Sequence, residues 1–216
     1  LSPGHPNVNL YLLKVFKELI INYDIDGLHL DYIRLHDQGY GMNPYAIANF
    51  RKYNKKNVNI DISSLDMYSN SQWDDFLRKS ITELVSDTKD MIVLTKPKIE
   101  LSAAVKPNLY EARERFSQEW DVWLVAGYLD KVFVMNYASD LKVFAKNIDV
   151  MYDNLPKKYR DRIVVGIATY NQSSDEALTK VKYTKVTRFS SVAFFSYNSL
   201  SQGKAYFKKI KNYIYK

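Results

Sequence analysis

Residues 24–35, DIDGLHLDYIRL, set Asp24, Asp26, His29, Asp31 and Arg34 into a run that otherwise reads as part of a protein core. An ionised side chain is costly to bury unless it is paired or hydrogen-bonded, so such a run either ends a strand or serves a site. Within GLHLDYI (27–33) the two-residue strand period puts His29 and Asp31 on one face and Leu28 and Leu30 on the other. Asp31 falls near the C-terminal end of the strand and is the leading candidate for acid, base or nucleophile. The competing reading is an ion pair with Arg34 or His29, and spacing alone leaves both open. Asp26 precedes the strand and is expected to cap the turn that enters it.

A second carboxyl group would widen the acid–base chemistry open to Asp31. Asp140, three residues past Tyr137 in the following loop, is the best placed; Glu111 is a further candidate, and a residue outside this chain is another. Glu100 opens its strand and is expected at the opposite end. Tyr137, Tyr170 and Tyr197 each close an expected strand, so their rings could gather at one face, although a chain with 18 Tyr places some there by chance. Tyr137 and Met135 are expected on the face opposite Asn136. The histidines are His5, His29 and His36. His29-x-Asp31 has the spacing of a metal pair, but no other expected strand ends in His, so no metal is expected. Without Cys or a G-x-S-x-G turn, neither a thiolate nor the hydrolase-type serine is available.

These groups need elements to hold them. Asn7 to Tyr23 carries apolar residues at three- and four-residue spacing, with Asn7 in the N-cap position. Five nearly continuous apolar runs read as strands: 27–33, 99–105, 131–137, 162–170 and 191–197. Such runs suit parallel strands covered on both faces. Helices are expected near 72–89, 115–126, 141–153, 174–183 and 202–214. Residues 36–71 break the rhythm as an inserted βα loop with a helix near 44–55. Strands alternating with helices imply right-handed βαβ units. With 7 Gly and no G-x-G-x-x-G, a barrel is favoured over a nucleotide-binding open sheet, and no cofactor is expected.

The 216 residues suffice for one domain spanning 1–216. Hydrophobic residues at 46% and charged residues at 25% exclude a disordered or fibrous class. The net charge of +7 admits an anionic polymer as partner, but it is spread over Lys-rich stretches such as 55–59, 155–160 and 207–216 that read as solvated faces. Nucleic acid is not the expected partner. No apolar run reaches the roughly 18 residues of a membrane span. Trp73, Trp120 and Trp123 lie on expected helices and read as packing residues.

YDIDGLHLDYIR, preceded by PGHPN and an amphipathic helix, resembles the segment around the fourth strand in the glycosyl hydrolase-like 10 family. Trp73 opening the next helix, Lys96-Pro97, DVWLVAGYLD (121–130), FVMNY, GIATY and FFSY follow in the family's order. The resemblance implies a (β/α)8 TIM barrel with strands four to eight in this chain and the remaining strands upstream of Leu1. It implies a carbohydrate substrate at the C-terminal face, with His5, His29, Arg34, Tyr137, Tyr170 and Tyr197 as substrate contacts and Asp31 as the carboxylate at the end of strand four. The expected activity is glycosidic bond hydrolysis of a polysaccharide or oligosaccharide with Asp31 and Asp140; the alternative is a carbohydrate-binding barrel without turnover. Members of the family are often secreted, periplasmic or lipid-anchored, so an extracytoplasmic location is expected.

Overall fold

The computed structural model describes residues 1–37, 39–57, 71–201 and 204–214. Five strands, β1 (Gly27–Leu30), β2 (Glu100–Val105), β3 (Lys131–Val134), β4 (Ile163–Ala168) and β5 (Ser191–Phe195), follow one another in that order in a parallel sheet. Helices separate them in the succession of a TIM-barrel type fold, with five strands among the described residues. Contacts divide the chain into two compact units: 1–102 with 110–130, and 103–109 with 131–216.

The first unit holds α1 (Val8–Asn22), β1, α2 (Pro44–Asn57), α3 (Ser71–Thr95), the start of β2, most of α4 (Leu109–Phe116), and α5 (Trp120–Val125). Trp73, Phe76, Leu77, Ile81, Leu84, Val85 and Ile92 recur at helical spacing along α3 and are all buried, which is why this long helix packs along one stripe. Trp120 and Trp123 are fully buried, as expected of packing residues. The indole N–H of Trp123 donates to Thr82 Oγ1 at 2.7 Å, so its one polar atom is satisfied. Lys89 Nζ donates to Asp130 at 2.7 Å, and Asp130 Oδ2 also accepts from Leu101 N at 2.7 Å, tying α3 to the start of β2.

The second unit holds the end of β2, β3, α6 (Leu141–Asn154), a 3-10 turn (Lys157–Arg162), β4, α7 (Ser174–Val186), β5, α8 (Tyr197–Ser201) and α9 (Lys204–Ile214). Partners Val134↔Val165, Gly166↔Ala193 and Ala168↔Phe195 fix the register. Val132, Val134 and Asn136 are buried, as are Ile163, Val165 and Ile167, whereas Phe133, Met135 and Tyr137 are half-buried on the other face. Ser173 and Glu176 close a reciprocal capping box on α7.

Several boundaries differ from the sequence reading. Strands expected to run to 33, 137, 170 and 197 end at Leu30, Val134, Ala168 and Phe195. The helix expected over 115–126 is two helices, parted at Ser117, whose φ of 51° lies in the left-handed region. The helix over 202–214 begins at Lys204 and is preceded by α8. Asn7 occupies the N-cap of α1, but its side chain makes no capping bond. Asp26 supplies its backbone carbonyl to Glu100 N at 3.1 Å, which pairs the entrance of β1 with β2. Of the inserted segment, the helix near 44–55 is α2, and residues 58–70 lie outside the described residues.

Candidate functional site

In the first unit the charged groups of 24–35 are mostly not buried. Leu28 and Leu30 point into the core, while Asp24, Asp26, His29 and Asp31 are exposed or nearly so. No burial cost falls on Asp31, which is exposed one residue past the end of the strand. Tyr32 takes φ 57°, an uncommon backbone for a residue with a bulky side chain, and its N–H donates to Asp31 Oδ1 at 2.7 Å. Such strain gathers at functional sites and persists where the surroundings enforce it. Here the enforcement is visible: the Arg34 guanidinium lies 4.4 Å from the centroid of the Tyr32 ring and 5.3 Å from that of Phe116.

Arg34 also donates from Nη1 to Leu35 O at 2.9 Å, so it orders the turn after the carboxylate. Among the described residues Asp31 makes no ion pair, with Arg34 or any other residue, and only Oδ1 accepts a hydrogen bond. The ion-pair reading of the DYIR segment is thus replaced by a turn held through ring and carbonyl contacts. His29 shares the exposed face, its Nδ1 lying 2.9 Å from Ser102 Oγ. Desolvation by neighbouring atoms lowers the His29 pKa from its ordinary value, against an opposing pull from the Asp31 carboxylate.

His5 is half-buried, its Nδ1 accepting from Asn7 N at 3.1 Å and its ring 4.8 Å from that of Tyr45. It shapes its own loop. Glu111 lies in the first turn of α4 and pairs with Arg115 at 3.2 Å. Glu100 opens β2, as expected.

In the second unit, Asp140 is the N-cap of α6, its Oδ1 accepting from Val143 N at 2.9 Å. That bond accounts for an Asp at this position by helix capping. Tyr137 and Tyr170 lie beyond the ends of β3 and β4 and both meet the ring of Phe195, the last residue of β5. Tyr197 opens α8 and is 78% exposed instead of closing a strand. Asn136 points the other way, as expected, donating to Phe144 O at 3.0 Å and accepting from Asn147 at 3.0 Å.

Two residues here escape a reading of the sequence. Phe195 sits in the apolar run FFSY without any polar mark, and only the register places it opposite Ala168. Lys180 is fully buried, its Nζ donating to Ala138 O and Ser139 O at 2.7 Å each and to Gln172 Oε1. Desolvation lowers its pKa, opposed by Glu176 and Asp140. Its place on α7, among Lys182 and Lys185, gives it the look of a solvated lysine.

The sequence matches the model of the glycosyl hydrolase-like 10 family over residues 1–187. The fold is similar to that of the PgaB (BpsB) glycoside hydrolase domain from Bordetella bronchiseptica, with a TM-score of 0.73 at 13% sequence identity. The likeness covers 96% of this chain and 62% of that chain, so this chain spans less than two thirds of the structure it matches. No curated protein matches the sequence.

Proposed function

Because this chain belongs to the glycosyl hydrolase-like 10 family, we propose that it acts on a polysaccharide or oligosaccharide as part of a glycoside hydrolase, with Asp31 as a catalytic carboxyl group. One observation carries the reading. Asp31 stands exposed at the C-terminal end of β1, without an ion pair among the described residues, while Tyr32 N holds one of its oxygens. Barrel enzymes place reacting groups at this end of their strands.

A carboxyl group so held can protonate a glycosidic oxygen, activate water, or attack the anomeric carbon. The Tyr32 bond orients Oδ1 and leaves Oδ2 for the substrate. His29, largely neutral at pH 7 because its pKa is lowered, offers its imidazole to a sugar hydroxyl, while Ser102 fixes the ring through Nδ1. Arg34 contributes by holding the turn.

The test is Asp31→Asn in the full-length protein, assayed for reducing-sugar release. Loss of a positioned acid or base costs about 10²–10⁴-fold, and an exposed substitution should leave stability within about 0.5 kcal/mol. Undiminished sugar release removes Asp31 from the chemistry, and a failure to fold makes it structural. Saturable glycan binding by the unaltered protein with no turnover would favour the non-catalytic carbohydrate-binding reading.

A further inference from the structure

Phe195 is the one phenylalanine that stands mainly in solvent among the described phenylalanine side chains, at 53% exposure. It is nevertheless well supported. The ring of Tyr137 stacks on it with centroids 5.3 Å apart and planes 14° from parallel, and the ring of Tyr170 meets it edge-on at 6.4 Å.

The support reaches down into the sheet. Parallel pairing puts Gly166 and Ala168 of β4 on one face with Ala193 and Phe195 of β5. A Cβ at Gly166 would come within 3.0 Å of the Tyr137 ring and 2.5 Å of Val134 O. Glycine at this position therefore lets the Tyr137 ring lie down over β4, and the small residues beside it leave the room that the stacked pair occupies. The backbone is tied just as closely: Thr169 N donates to Phe195 O at 2.8 Å and Thr169 Oγ1 to Ser196 O at 3.1 Å. Asn171 Nδ2 donates to Tyr137 O at 3.2 Å, and Lys180 holds the next two carbonyls.

Resting on the carbohydrate reading above, we propose that Phe195 is a stacking platform for the apolar face of a sugar ring, oriented by Tyr137 stacked on its other face and Tyr170 perpendicular to it. The C–H groups on one face of a pyranose carry partial positive charge and are drawn to the negative face of an aromatic ring. Thr169, Asn171 and Gln172 in this cluster are uncharged, and the Lys180 ammonium bonded to it is buried and engaged by Ala138 O, Ser139 O and Gln172 Oε1, which suits hydroxyl partners better than an ionic ligand.

The experiment uses the full-length Asp31→Asn protein, so that bound glycan is not consumed, on a microarray of bacterial and plant polysaccharide fragments. Adding Phe195→Ala should weaken binding about tenfold or more, while Phe195→Trp should retain it. Phe195→Leu, close in size and apolar but not aromatic, should lose binding like Ala and melt like the parent. If the Leu variant binds as the parent does, the ring is packing and the proposal falls while the carbohydrate reading stands. The proposal falls in the same way if the Ala variant binds undiminished, or if the Trp variant folds and fails to bind. A parent that binds no glycan removes the carbohydrate reading and the platform together.

Discussion

The end of β1 and the face over β4 solve opposite problems. At β1 the polar groups are outside: Asp31 and His29 are exposed, each held by a short bond to a neighbour, and a strained Tyr32 turns the chain away. Over β4 the polar groups are inside: the ammonium of Lys180 and the amides of Asn136 and Asn147 are buried, and an aromatic ring faces water. The contrast separates two requirements of a site. If Asp31 reacts as proposed, its carboxyl group needs access and an aimed oxygen, and Tyr32 N–H aims Oδ1. A binding ring needs a fixed plane, which takes a scaffold of loop carbonyls and small residues beneath it.

The face over β4 should therefore tolerate change less well than the end of β1. Gly166→Ala should cost the most, about 1–3 kcal/mol by overpacking, because the backbone carbonyl of Val134 cannot yield as a side-chain tip can. Denaturant unfolding measures it, and a cost under half of that would show that β4 has slack. Lys180→Met sets two effects against each other. Removing a buried charge relieves desolvation, while three oxygens lose their donor at roughly 1–3 kcal/mol each if they stay dry. Ser139 is exposed and its carbonyl can find water, so a net loss of about 1–2 kcal/mol is expected, read as a lower Tm. A more stable Met variant would mean that the lysine is not what orders the loops.

The smallest effect belongs to β1. The pKa of His29, lowered from 6.5 by desolvation and partly restored by Asp31, should fall further in Asp31→Asn, followed by NMR titration. A rise would mean that the carboxylate does not act on the imidazole. The sign for stability follows from proton binding. Between the folded value and 6.5 the unfolded chain binds more protons, so this contribution is present above 6.5 and is lost as pH falls through that window.

The sheet could be read from the chain because parallel strands covered on both faces are nearly continuous apolar runs, and all five runs are strands. The same signal misplaces their ends. Ile33 and Leu35 are as apolar as a strand and are buried, yet they lie in the turn after Tyr32, where Gln118 Nε2 donates to Ile33 O and Leu35 N donates to Phe116 O. Hydrophobicity reports burial, and a loop packed under its neighbours carries the same mark. Asp31 could be picked out because a carboxylate at the end of an apolar run is conspicuous. Lys180 could not, since a lysine on a helix reads the same whether its ammonium meets water or three oxygens. Asp140 reads as a reacting group by its spacing from Tyr137, whereas its carboxylate serves a helix cap, a role marked by the helical apolar pattern beginning at Leu141.

Tyr32 has a further consequence. Because the change of direction after Asp31 is made at Tyr32 and braced by the Arg34 guanidinium next to it, the position of the carboxylate is set within residues 31–35. Changes of length or sequence past Leu35 would then leave the Asp31 carboxylate where β1 ends.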